Sequence, residues 1–138
     1  MKHVLSRHAD IGFLLLRFAI AGSFIVHGMQ KFPLVAMAAP PEMMPVPLFF
    51  LMKFLAIAEP VAGIALILGI LVRSASFCLS IVMIGAIGLK IFLFQIGYAA
   101  PGGYELDCLL LAGCILLMLH GPGKIAIERL VARNAKNA

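Results

Sequence analysis

Apolar residues run in four long blocks, at about Ile11–Gln30, Leu48–Leu71, Ser74–Ile96 and Tyr104–His120. A helix rises 1.5 Å per residue, so roughly 20 residues cross about 30 Å of hydrocarbon. Three blocks meet that length, and the fourth, at about 17 residues, stands at the short limit. None alternates with period two as membrane barrel strands do, and only helices or closed barrels satisfy their backbone groups in lipid. The pattern predicts an all-α fold, an integral membrane four-helix bundle, with residues 1–138 as one domain and no internal repeat. A tight turn around Val72, Arg73 and Ser74 joins the second and third blocks as an antiparallel hairpin. Between the first two blocks, Phe32 to Pro47 holds Pro33, Pro40, Pro41, Pro45 and Pro47. That density predicts a loop without regular helix.

Composition agrees. Of 138 residues, 63% are hydrophobic and 12% charged, whereas a soluble domain is nearer half apolar and a quarter charged. Charge then sets orientation. With four spans, Lys2, Arg7, Arg73, Lys124, Arg129, Arg133 and Lys136 fall on the side that carries both ends, and Lys31 alone lies outside the spans on the other. The positive-inside rule places both termini in the cytoplasm of a bacterial-type inner (plasma) membrane. The net charge of +5 is mostly this signal plus a basic tail, Gly123–Ala138. With Ile125, Ile127, Leu130 and Val131 as its apolar face, that tail is expected to lie on anionic lipid headgroups rather than on nucleic acid. Lys2 and Arg7 before an apolar run, with Ala19-Ile20-Ala21 following, have the outline of a signal peptide. Arg17 interrupts the apolar region and hydrophobic sequence continues past Ala21, so no cleavage is expected.

Two charges sit inside spans. Arg17 interrupts the first block and Glu59 the second, each at a cost of about 2.5–3.5 kcal/mol on insertion scales. At 100° per residue Arg17, Ala21, Phe24, Gly28 and Lys31 share one stripe, and Glu59, Gly63, Leu66, Ile70 and Arg73 share another. Both stripes are expected to face inward, with Gly63 allowing close backbone approach and Pro60 weakening the helix beside Glu59. Arg17 lies about 9 Å and Glu59 about 16 Å from the cytoplasmic edge. The favoured reading is a buried polar site, an Arg17–Glu59 pair or a shared watery pocket. Its alternative has Arg17 reaching back to the interface and Glu59 protonated.

A second polar group gathers at the outer ends of the spans: His27, Lys31, Lys53, Lys90, Glu105 and Asp107. Acids opening the fourth helix suit its positive dipole end. Three lysines against two acids leave a basic mouth suited to an oxyanion, a carboxylate or a quinone carbonyl. The plainer reading has lysines reaching headgroups and acids capping a helix, and it is preferred for Lys31 and Asp107 alone; Lys90 with Glu105 stays open.

Self-sufficient redox chemistry is not encoded. Cys78, Cys108 and Cys114 form no Cys-x-x-Cys, so the dithiol of a disulfide-generating membrane enzyme is missing. His3, His8, His27 and His120 are too scattered for a haem pair, and no glycine-rich nucleotide loop occurs. No metal site is predicted. Met29, Met37, Met43, Met44 and Met52 near the outer loop offer thioethers to Cu(I), a minor alternative to ordinary apolar filling.

The segments LLLRFAIAGSFIVHGMQKF, AEPVAGIALILGILVR and GGYELDCLLLAGCILLMLHGPGKIAIE resemble the DoxX family of small four-helix membrane proteins. The resemblance covers Leu14 to Glu128. It rests on Arg17, Gly28 and Lys31, on Glu59, Gly63, Gly69 and Arg73, on Gly103 and Glu105, and on Gly121-Pro122-Gly123. Ala126 and Glu128 stand where the family usually has Ser and Asp. The resemblance implies a subunit or partner of a membrane redox system, linked to quinone-dependent thiosulfate oxidation or to thiol and oxidative stress. No cofactor is encoded, and quinone is the one it suggests. Membrane or soluble redox proteins are the implied partners, besides the lipid bilayer. Two other functions stand beside it: a structural anchor recruiting soluble partners, and a small-solute or copper transporter in which a homodimer would provide the pathway.

Overall fold

The computed structural model describes residues 2–42, 44–123 and 126–129. Met43 and the tail positions Lys124, Ile125, Leu130, Val131, Arg133 and Lys136 lie outside them, and with them most of the expected amphipathic tail. The described chain forms four α-helices: α1 Lys2–Ala36, α2 Val46–Leu68, α3 Val72–Gly88 and α4 Glu105–His120. A π-helical turn, Leu89–Leu93, continues α3. Three stretches are long and apolar enough to cross a membrane: Asp10–Ala36, Val46–Leu68 and Val72–Leu93. Helix α4 has 16 residues and so rises only about 24 Å.

The helices pack in chain order, α1 on α2, α2 on α3 and α3 on α4, with a thinner α1–α4 seam closing the bundle. Ile20, Ala21, Phe24, Leu66, Val72, Leu79, Met83, Leu110, Cys114 and Leu117 form the core. Leu15, Phe54, Phe92, Leu109 and Leu119 are exposed, the outward apolar surface that lipid tails cover. Where the start of α1, the α2–α3 turn and the end of α4 meet is the terminal end of the bundle. The opposite end, with the α1–α2 and α3–α4 connections, is the loop end.

Several boundaries differ from expectation. Helix α1 runs straight through Pro33 to Ala36, so the connection spans 37–45 instead of Phe32–Pro47. A proline removes one N–H, and three residues from a helix end that loss touches a single bond. Pro47 falls in the first turn of α2, where helices have no N–H bond to lose. The α2–α3 turn lies at Gly69–Leu71, three residues earlier than Val72–Ser74. Gly69 adopts φ 71°, ψ 38°, and Gly69 and Ile70 donate to the carbonyls of Leu66 and Ala65 at 3.2 and 2.9 Å. This is a Schellman closure, which needs the left-handed residue that glycine supplies. Leu71 follows at φ 48°. Because the helix stops there, Ile70 and Arg73 leave the inward stripe and are exposed, whereas Glu59, Gly63 and Leu66 are buried as expected. The stripe of α1 is also inward: Arg17, Ala21, Phe24 and Gly28 are buried and Lys31 half-buried.

Candidate functional site

The seam between α1 and α2 is close because two glycines make it so. A Cβ on Gly63 would stand 3.0 Å from the Ala21 carbonyl and 2.9 Å from Ile25. One on Gly28 would overlap the ring of Pro60. These contacts set α1 and α2 antiparallel with Gly28 opposite the Ala56–Pro60 turn.

Side chains lean toward the N-terminus of their own helix. In an antiparallel pair, Lys31 therefore leans down from the loop end while Glu59 leans up toward it. They meet: Lys31 Nζ lies 2.6 Å from Glu59 Oε1 and 2.5 Å from Oε2. The Glu59 side chain is 1% exposed and that of Lys31 22%. An ammonium on both oxygens neutralises a carboxylate that bare hydrocarbon would not accept.

The same lean carries Arg17, also on α1, away from Glu59. Its guanidinium points toward the terminal end, where Nε donates to the Leu66 carbonyl at 2.9 Å, Nη2 to Ile67 at 3.0 Å and Nη1 to Pro122 at 2.8 Å. The last carbonyls of a helix have no intrahelical donor and form the negative end of its dipole. Arg17 satisfies two of them on α2 and ties the Gly121–Pro122–Gly123 turn to them. Ala126 packs on Gly69, the Arg73 guanidinium lies beside Gly121, and Glu128 N donates to the Gly69 carbonyl at 3.3 Å. Arg17 and Glu59 are thus both buried but have different partners, and the expected Arg17–Glu59 pair does not form. Cα depth alone suggested that an arginine could bridge the gap; the opposed directions of the side chains prevent it.

The outer group also divides. Lys53 Nζ donates to the Met37 carbonyl at 2.6 Å, just past the end of α1, and lies 4.7 Å from the centroid of the Phe49 ring. It closes a helix end. Lys90 pairs with Asp107 at 2.6 Å and donates to the Gly103 carbonyl at 3.0 Å. Asp107 is buried while Glu105 is exposed, so the lysine chooses the residue that faces the bundle rather than the first acid of α4. The π turn widens the helix at Lys90, with Phe94 N donating to the Leu89 carbonyl at 3.0 Å. His27 is half-buried one turn below Lys31. The six residues expected at one mouth thus split: Lys90 pairs with Asp107, Lys31 beside His27 pairs with Glu59, and Lys53 turns to the Met37 carbonyl.

The three cysteines are free, with Cys78 exposed, Cys108 half-buried and Cys114 buried. Among the described residues no three His, Cys, Asp or Glu side chains gather as metal ligands would. Sequence reasoning missed the carbonyl acceptors at Leu66, Ile67, Pro122, Met37 and Gly103, because backbone oxygens carry no residue-type signal. It also missed the stack of Phe13 on His120, with ring centroids 3.5 Å apart and planes at 8°.

A family model described as DoxX matches residues 12–95. The match takes in Arg17 and the Lys31–Glu59 pair and stops before α4. Neither a curated protein nor a solved structure matches the chain. With more than half of its length matched across three helices of this membrane bundle, the chain belongs to the DoxX family.

Proposed function

We infer that the chain serves as a membrane subunit of a redox system, quinone-linked or acting in sulfur and thiol oxidation, with the Lys31–Glu59 pair as its working site. The observation that carries this reading is the pair itself, a carboxylate 1% exposed held by an ammonium 22% exposed at the α1–α2 seam. Such a pair can exchange a proton with, or hold the polar head of, a quinone from the bilayer. The chain's own residues provide no electron carrier in this reading; quinone and a partner protein do. The basic terminal end, with Arg73 and Arg129 exposed, fits an inner-membrane orientation with both termini cytoplasmic.

Mild-detergent purification from the native host tests it. An ultraviolet spectrum should show bound quinone, and mass spectrometry should find redox proteins. Glu59→Gln and Lys31→Met should each abolish quinone retention while the protein stays in the membrane. Full activity of the native complex in both variants would sink the assignment.

A structural anchor is the second reading. It is favoured by Arg17, Lys53 and Lys90, which donate to backbone carbonyls near helix ends and, for Lys90, pair with a neighbouring acid. It predicts that deleting the segment after Gly123 removes partners while exchanging Glu59 does not.

A further inference from the structure

The α1–α4 seam fixes how far α4 reaches along α1. Phe13 stacks on His120, and Gly113 faces Leu16 and Ile20, a Cβ there falling 2.5 Å from Ile20 Cδ1. The two helices are antiparallel, so these contacts project the first residue of α4, Glu105, to about the level of His27. Helix α1 continues to Ala36, about 13 Å further.

The stripe that α4 covers does not end where α4 does. Counting 100° per residue from Ile20, Phe13, Leu16, His27, Lys31 and Leu34 all lie within about 40° of it. The lower three meet α4. The upper three stand on the same face above its first turn. Gln30 flanks them on the lipid side and is exposed, while His27, Lys31 and Leu34 are half-buried. His27, Lys31 and Leu34 keep part of their surface and Gln30 most of its own, so the 94–104 connection does not close over this face.

The bundle thus has a notch in its side at a depth where α1 still spans. Polar groups line it. Lys31 has three N–H donors and Glu59 is its single bonded partner among the described residues, at both oxygens. The Gln30 amide and the His27 ring make no hydrogen bond among the described residues. An exposed amide within a spanning helix is costly without a partner.

The geometry points to lateral entry: an amphiphile with a carbonyl-bearing head reaches the Lys31–Glu59 pair from the lipid, through the notch above α4, with Gln30 and the spare N–H of Lys31 donating to its head oxygens. His27, at the floor, is placed to exchange a proton with that head. This rests on the redox reading for the identity of the head, of quinone type, and adds to it the route and the receiving residues. A neutral carbonyl is preferred to a phosphate because Glu59 already neutralises Lys31.

Photolabelling of the full chain in nanodiscs tests the proposal. The probe is a decyl-tailed azidoquinone, and the labelled peptide is identified by mass spectrometry. Label is expected on the His27–Lys31 stretch, displaced by unlabelled decyl-quinone and not by phosphatidylglycerol. Gln30→Leu should weaken labelling about fivefold, the worth of one neutral hydrogen bond, and Gln30→Trp should block it. Val61→Trp, on the exposed face of α2, should change nothing. Label spread evenly over lipid-facing helices, or labelling as strong from a tail-less azidoquinone, would overturn lateral entry. Displacement by phosphatidylglycerol alone would overturn the quinone-type head. Label away from His27–Lys31 with quinone still co-purifying would remove the notch and leave the redox reading. Label at the notch without any native quinone or redox partner would do the reverse.

Discussion

Lys31 and Glu59 meet because they sit on antiparallel helices whose side chains lean toward each other, with an ammonium 2.5 Å from a carboxylate that is 1% exposed. Removing either partner leaves the other charge facing hydrocarbon. Lys31→Met and Glu59→Gln are each expected to destabilise the bundle by about 3 kcal/mol, the low end for a buried pair because Lys31 keeps some exposure. The double variant should recover most of that loss, since apolar or neutral replacements of both partners cost little. Unfolding in mixed detergent, read as a double-mutant cycle, measures the coupling. A sum of the two single losses would show the pair contributes nothing.

Arg17 works through geometry as much as charge, with three donors on three carbonyls. A lysine supplies the charge without the planar fork. Arg17→Lys is therefore expected to cost about 1.5–3 kcal/mol, and Arg17→Met more, on the scale of charged hydrogen bonds. The specific sign is local. Loss of Arg17 should free the turn at Pro122 and with it the Glu128 amide now bonded to the Gly69 carbonyl. Hydrogen exchange at Glu128 should accelerate in the variants before any change is seen in the middle of α2. Unchanged protection at Glu128 would contradict the clamp.

The positions of these charges were legible in the sequence, while their partners were not. Helical periodicity put Arg17 and Glu59 on inward stripes, and both are buried. Which charge meets which depends on the lean of side chains along antiparallel helices and on where helices stop, and neither shows in apolar periodicity. Pro33 illustrates the second point. It reads as a breaker, yet near a helix end it costs little, and the extra turn it permits carries Leu34 above α4. The choice of Asp107 over Glu105 has the same origin: both open α4, and only the orientation of one turn separates them. Membership in the DoxX family was legible because it rests on residue types at set positions along the chain, and most of those residues gather at two places in the structure. Gly28, Lys31, Glu59 and Gly63 make the α1–α2 seam, and Arg17, Gly69, Arg73 and the Gly121–Pro122–Gly123 turn make the terminal junction.

Glycines should separate into two kinds by their surroundings. A Cβ at Gly28 overlaps the rigid Pro60 ring, whereas at Gly12 and Gly22 it meets nothing within 4 Å. Gly28→Ala must push α1 off α2 and is expected to cost about 1–3 kcal/mol, as overpacking does. Gly12→Ala and Gly22→Ala should be neutral or stabilising by up to about 1 kcal/mol through helix propensity. Thermal unfolding of the three variants compares them directly. Equal behaviour would mean the seam is looser than its contacts indicate.

The two acids of α4 offer the sharpest contrast, because they differ by two positions and share a dipole. Asp107 is buried against Lys90 at 2.6 Å, and Glu105 is exposed. If dipole capping were the main role, neutralising either would cost a similar few tenths of a kcal/mol. The ion pair predicts asymmetry instead. Asp107→Asn should destabilise by about 3 kcal/mol by leaving Lys90 without its counter-charge, while Glu105→Gln should stay within about 0.5 kcal/mol. Lys90→Met combined with Asp107→Asn should recover part of the loss, since the Gly103 carbonyl still lacks its donor. Unfolding midpoints in detergent for the three variants decide between the two roles. Equal losses for Asp107→Asn and Glu105→Gln would assign both acids to the dipole and leave Lys90 to the interface.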